Sequence, residues 1–592
     1  MRFPPGSLIV PILIALCVCL VLPSPPARAA DEQVQLRIDG VDGALRTNVE
    51  AVLAVPPGIV KNGIVNRFWL RRLVRDIPSS VRQALEPLGY YHAQASVETV
   101  ETEAGRITVV VQIIPGAPIR ITARRIEVTG AGSKDPVLQE QLETFPLRQG
   151  DILRHDLYEQ GKAQLRNSAV DRGYLRAEYV THVIEVDATA GNAGIDLVLD
   201  TGQRYLFGPV SFPSPPDYPD RFLRRYLTIR PGEIFTYTEL GQTQSQLVDS
   251  DRFESVLITP RIEAAEQSRV PIEIHLKSKP RRTLRPGVGY GTDTGPRFSL
   301  LYHDINVWKR GQQFEINLVA AERRQTFDLS YIIPSDRNIS SYTALKGGFD
   351  REETETYVSR KIFTEVERAY ARGKRITISF FARLQREDYT VGDTDEISQL
   401  LIPGVRWNYR TYESPTRPSE GYHLSLEVRG AREGLLADTS FMQTIGEANT
   451  LVRLPAHMSL FLRGRGATTL QENEFEDIPA SMRFFAGGDQ SVRGFPYQSL
   501  GPVDAAGVVI GGKHLLVGSV ELERELTENV GLAVFYDAGN AFNNLSDYEL
   551  EKSVGAGLRW YTLIGPVRID VARPITEPDP SYRVHFGMGF SW

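Results

Sequence analysis

The chain has 592 residues, 24% of them charged and 42% hydrophobic, with 67 Lys and Arg against 73 Asp and Glu for a formal net charge of -6. That length exceeds one domain, and so ordinary a composition excludes a disordered chain or a bundle of membrane helices. With no basic excess, nothing in the charge balance points to nucleic acid.

At the N-terminus, Arg2 precedes the apolar run LIVPILIALCVCLVL (8–22), and PSPPARAA comes after it. Ala27-Arg28-Ala29 supplies the small residues a signal peptidase requires, so residues 1–29 read as an export signal. A single anchoring helix is the weaker reading, because the run is short and ends in prolines. Cys17 and Cys19 are the only cysteines, and each follows a large residue, which argues against a lipoprotein site. A mature chain without cysteine is not a disulfide-stapled secreted domain. No later stretch reaches about eighteen consecutive apolar residues. An exported soluble protein and a β-barrel remain.

From 33 to about 280, strand-like and helix-like patterns alternate. QLRIDG (35–40) alternates, residues 66–89 carry apolar residues at helical spacing, and QASVETV (94–100) and ITVVVQI (107–113) read as strands. The same order returns from RRIEVTG (124–130) to IDLVLDTG (195–202), and again from GPVSF (208–212) to VPIEIHL (270–276). Each repeat carries a turn ending in an aromatic: Gly89-Tyr90, Gly173-Tyr174 and Arg252-Phe253. Recurrence of one β-α-α-β-β order marks three copies of one small α+β unit.

Beyond residue 281 helical spacing fades. QFEINLVA (313–320), TFDLSYII (326–333), YHLSLEVRG (422–430) and PVRIDVA (566–572) alternate with a period of two. The terminal YRVHFGMGFSW (582–592) does the same and ends on an aromatic. A soluble sheet and a membrane barrel share this pattern; only the direction of the apolar face differs. Divided among sixteen strands, residues 281–592 leave room for membrane strands and loops, and fourteen or eighteen would also fit.

The segment MRFFAGGDQSVRGFPYQSLGP (482–502) and the strand FYDAGNAF (535–542) carry a resemblance. With LGYY (88–91), PGAPIRI (115–121), GQRYLFGPV (202–210) and GVGYGTDTGPR (287–297), they resemble the BamA-like outer-membrane assembly factors, in which periplasmic POTRA domains precede a barrel. Three POTRA units are similar to the TamA group of that superfamily, the outer-membrane subunits of a translocation and assembly module. The resemblance implies POTRA domains at 33–117, 118–203 and 204–280 and a sixteen-stranded antiparallel transmembrane β-barrel at 281–592. It places Val492, Arg493, Gly494 and Phe495 in a loop folded into the lumen, facing a strand motif of Phe535, Asp537 and Gly539. A guanidinium in a partly dry lumen requires an anion, and Asp537 is the one at hand. His585, Gly587, Phe590 and Trp592 would form the C-terminal assembly signal. The last strand would pair with the first at a glycine-rich seam of Gly287, Gly289, Gly291, Gly587 and Gly589. Glycine weakens strand pairing, although the same residues also suit local sheet bending.

The resemblance further implies a non-enzymatic role without cofactor. The barrel would insert or translocate β-rich clients such as autotransporters through a laterally opening seam. Its partner would be a TamB-like, inner-membrane-anchored periplasmic protein, met through the POTRA domains. A conduit for phospholipid is the alternative, ahead of a two-partner secretion transporter or a passive pore. Enzyme signals do not persuade. GVVIGGKH (507–514) nearly matches a phosphate loop, but His514 stands where Ser or Thr belongs and a strand comes next instead of a helix. The nine histidines show no metal-ligand spacing. Glu521 and Glu523 read as residues that line a wet lumen or cap a turn.

Overall fold

The computed structural model describes residues 33–588, apart from 57–58, 62–63, 102–105, 214–216, 337, 374, 393, 413–419, 472–474, 547 and 563–564. The expected export signal, with Cys17 and Cys19, lies outside the described residues. So do Gly589, Phe590 and Trp592.

The chain divides into two compact units. The N-terminal one contains three three-stranded mixed sheets. In the first, Ile107–Ile114 runs between Val34–Asp39, to which it is parallel, and Gln94–Glu101, to which it is antiparallel. The second repeats this with Asn192–Asp200 between Arg120–Thr129 and Glu178–Asp187. The third has Arg269–Ser278 between Phe253–Pro260 and Leu206–Ser211. Period-two alternation buries one sheet face under the helices: Val109, Val111 and Ile113 meet Ile77, Val81 and Leu85 of helix Arg67–Leu85 in one core. That helix starts where Asn66 Oδ1 accepts from the Phe68 and Trp69 amides.

The turn marking each repeat has a steric cause. Gly89 and Gly173 sit at φ +91° and +89°, and a Cβ there would lie 2.5 Å from the Leu153 carbonyl oxygen and 2.8 Å from that of Tyr205. Each glycine thus lets its repeat press against the next, and its own carbonyl accepts from Ile119 or Tyr205. In the third copy the left-handed residue is Asp251, at φ +58°, rather than the aligned Arg252. Asp adopts that conformation more readily than most residues, so the glycine signature disappears there.

From Arg282 on, sixteen strands close into an antiparallel barrel that runs from Arg282–Gly291 to Arg583–Met588. The direction of alternation identifies its solvent. In Gly421–Ala431, Tyr422, Leu424, Leu426 and Val428 are exposed on the outside. Glu427 and Arg429 instead pair within the lumen, Glu427 with Arg406 at 2.7 Å. Apolar outside and charged inside is the pattern of a barrel in lipid. Residues 217–226 group with the barrel: Asn306 Nδ2 donates to the Asp217 carbonyl at 2.6 Å, and Lys309 pairs with Asp217 at 2.8 Å.

In the second repeat Asp135 caps helix Pro136–Glu143, accepting from the Val137 amide, and pairs with Arg172 at 2.6 Å. Burial alone would raise its pKa. The Arg172 contact, the Val137 amide and Arg204 outweigh burial and hold the carboxyl below its ordinary value. A depressed carboxylate stabilises the fold above its unfolded pKa and ceases to do so as pH falls through the folded value. Asp135→Asn, which keeps a capping oxygen but loses the charge, should cost about 1–2 kcal/mol at neutral pH. Hydrogen exchange across 136–143 should show the difference from wild type shrinking as the medium becomes acidic.

Candidate functional site

Strands Met458–Gln471 and His514–Thr527 are joined by a long loop that enters the lumen, beside a cavity of about 1330 Å³. Arg493 is 5% exposed. Its Nε and Nη2 donate to the two oxygens of Asp537 at 2.8 and 3.0 Å, and its backbone amide donates to Asp537 Oδ2 at 3.1 Å. Nη1 reaches Glu521 at 2.6 Å and Asp570 at 3.2 Å, and Nη2 reaches Ser519 at 3.2 Å. The guanidinium lies over the Phe535 ring, 3.4 Å from its centroid. Arg559 supplies the second cation, pairing with Glu521 at 2.7 Å and Asp570 at 2.5 Å. Two arginines therefore hold three carboxylates together, and a fixed planar fork suits that bidentate geometry.

The neighbours of Arg493 serve different ends. Val492 and Phe495 are buried among Phe484, Leu515, Val517 and Ala541. Gly494 has φ +97°, and its close approach to Pro574 and Ser553 leaves little room for a side chain. Gly539 admits no Cβ either, because the Leu516 carbonyl oxygen would lie 2.8 Å away. Tyr497 donates to Glu352 at 2.8 Å, tying the loop to another part of the wall. Sequence reasoning found Arg493 and Asp537 but missed Asp570, Arg559, Asp489 and Asp293, and read Glu521 only as lining a lumen or capping a turn. The inward register of Ser519, Glu521 and Glu523 on one strand was the available signal.

At the seam, the first and last strands share one registered pair among the described residues, Gly291 with Gly587. Beside it, the Thr292 amide donates to the Phe586 carbonyl at 3.1 Å, and the Phe586 amide to Thr292 Oγ1 at 2.6 Å. Gly287 and Gly289 pair with Ser299 and Arg297 of the second strand. Thus, of the expected seam glycines, the structure sets Gly291 and Gly587 against each other. A Cβ on Gly587 would meet nothing within 4 Å, whereas on Gly287 it would lie 2.5 Å from Ser299 Oγ.

Among the described residues, one grouping has metal-ligand atom types within reach of one another: Asp293, Asp489 and His585. Its imidazole is already committed. The Gly494 amide donates to Nε2 at 2.9 Å, and Nδ1 lies 2.5 Å from Asp489 Oδ1. With both ring nitrogens engaged, the grouping reads as a hydrogen-bonded chain.

Removing the Arg493 side chain would leave the fully buried Asp537 without its cation. Arg493→Ala should destabilise the folded barrel by about 3–5 kcal/mol. Arg493→Lys should lie between, since one ammonium cannot reach all four partners. The urea midpoint of heat-modifiable gel mobility measures both.

Residues 306–592 match the Omp85 superfamily domain, and residues 35–115 match the POTRA domain described as TamA domain 1. The chain is 25% identical over 394 residues to the outer membrane protein assembly factor BamA of Nitratidesulfovibrio vulgaris, covering 62% of this chain and 49% of that protein. It is 21% identical over 535 residues to BamA of Neorickettsia risticii, covering 84% and 70%. The chain thus spans about half the length of the first relative. BamA from Haemophilus ducreyi lacking POTRA domains 1–3 shares the fold with a TM-score of 0.66 at 18% identity, covering 79% of this chain and 99% of that one. The outward apolar band, taken with these matches, puts the barrel in the outer membrane and the POTRA domains in the periplasm. The chain is thus similar to the Omp85 superfamily over most of its barrel and to a POTRA domain over its first N-terminal repeat.

Proposed function

We propose that this protein is a TamA-type assembly and translocation factor, which inserts β-rich clients such as autotransporters into the outer membrane. The observation that carries the reading is the seam itself, where the first and last strands meet at two glycines, Gly291 and Gly587, with no side chain on either to pack across it. An opened seam would present unpaired amides and carbonyls, and a client strand could add to them by β-augmentation. No bond is made or broken, so the work is non-enzymatic. Both BamA relatives are assembly factors, which supports the same class.

The lumen motif Val492 to Phe495 and the strand motif Phe535, Asp537 and Gly539 would hold the loop in place while the seam moves. The C-terminal signal, His585, Gly587, Phe590 and Trp592, would be read when this barrel is itself assembled. The partner would be a TamB-like periplasmic protein anchored in the inner membrane. The first POTRA unit, 33–117, exposes Gln94–Glu101 as an edge strand on which such a partner could add a strand. The units 118–203 and 204–280 would be the second and third POTRA domains, ahead of the barrel from 281 in sequence. Phospholipid is the alternative cargo.

Gly291→Cys/Gly587→Cys should lock the seam by a disulfide, abolish client insertion and regain it on reduction; full activity of the oxidised barrel would sink the gate. Deleting residues 33–117 should abolish capture of the inner-membrane partner while leaving the barrel folded. In a deletion strain, selective loss of outer-membrane barrels with normal lipids is the expected phenotype, and lipid imbalance with intact barrels would transfer the role to phospholipid.

A further inference from the structure

The lumen loop also joins the two sides of the seam. Asp293 lies in the turn between the first two barrel strands, and its Oδ2 accepts from the Asp489 amide at 2.6 Å. The Asp489 side chain turns the other way, to His585 on the last strand. A backbone amide can only donate, so the Gly494 contact leaves His585 Nε2 without a proton. The proton of the neutral ring then sits on Nδ1 and is donated to Asp489. The result is a directed chain: Gly494 amide to His585, His585 to Asp489, Asp489 amide to Asp293.

Two further features fit this arrangement to its place. Gly488 adopts φ +103°, and a Cβ there would lie 2.6 Å from Asp293 Oδ2, so the loop backbone approaches the turn as closely as glycine permits. His585 is 3% exposed, which makes its bonds costly to lose without replacement. Beside this chain the described residues of the seam contribute the Gly291–Gly587 pair, the Thr292–Phe586 bonds, the Arg297 Nη2 bond to the Met588 carbonyl at 3.3 Å and the Tyr290–Phe586 ring contact.

We propose that Asp489 is the clasp of the seam. It joins the turn after the first strand to the last strand, and parting the seam at this point breaks one of its two bonds. This rests on the reading of the seam as a gate. Arg493 stays gripped by Ser519, Glu521, Asp537 and Asp570 throughout, all of them on the last-strand side. The Asp293 end has a single bond to Asp489. Opening at this point therefore releases Asp293 first, and Asp489 stays with the last strand. His585 and Asp293 act as positioning residues, since neither would touch the client.

Because the two bonds are in series through one residue, cutting either cuts the whole link. That gives a test a merely structural role would not pass. The full-length protein in bilayer nanodiscs carries nitroxides at Val288→Cys and Val584→Cys, outward-facing positions on the first and last strands. Pulsed electron paramagnetic resonance then reads the fraction of long distances. Asp293→Ala and His585→Ala should each raise that fraction on the order of tenfold. The double variant should raise it no further than either single one. Asp489→Asn, whose side-chain oxygen still accepts from Nδ1, should remain closed, and heat-modifiable mobility certifies that each variant is folded. Multiplying effects of the two alanines, or unchanged distances in both, would overturn the clasp. The seam reading fails separately, when the oxidised cysteine lock still inserts clients.

Discussion

In hydrocarbon no water satisfies the edge of a β-sheet, so a spanning sheet must close on itself. Every other feature of this barrel is arranged around that closure. Most strand pairs here share long ladders, and the pair that completes the ring shares one described registered contact. The described pair that joins its two ends, Gly291 with Gly587, has no side chain to pack across it. The weakness is offset inside, where the loop's hydrogen bonds reach both sides of the junction.

The lumen is polar for a different reason on each side. Along strands Tyr342–Glu353 to Gly421–Ala431, Lys346, Glu365, Arg383, Arg406, Glu367 and Glu427 pair across strands one or two apart. These pairs fix register locally and require no loop. From His514–Thr527 to Arg583–Met588 the acids instead converge on cations, one of which arrives on the loop itself. Part of the wall is thus self-sufficient, while the other part is completed by an insertion. Single buried ion pairs are weak sources of stability, but removing one partner is severe. The loop is consequently a component of the last strands rather than an occupant of the channel.

Much of this architecture is legible in the sequence because it is local. Alternation marks strands, a glycine-aromatic turn marks each repeat, and an arginine inside a glycine-rich segment demands an anion. Gly89 and Gly173 carry the repeat because backbone crowding forbids a side chain there; the third copy meets the same need with Asp251 and so blurs the signal. The direction of the apolar face is not legible, since strand periodicity is the same in water and in lipid. Nor is the junction chain. Asp293, Asp489 and His585 are brought together by closure of the ring, across 196 and 96 residues of sequence. No spacing rule reaches that far.

The grip on Arg493 also bears on the order in which the molecule is made. Ser519, Glu521, Asp537, Arg559, Asp570 and His585 all come after the loop in sequence. When the loop emerges, none of the groups that grip Arg493 yet exists, and when they form they must form around it. The loop then works as a mandrel on which the final five strands are wound, four of them bonding to it directly and Glu551–Thr562 through the Arg559 pairs with Glu521 and Asp570. A chain with the loop left outside would have to close over unpaired buried acids, so a correctly threaded interior becomes a condition of finishing the ring.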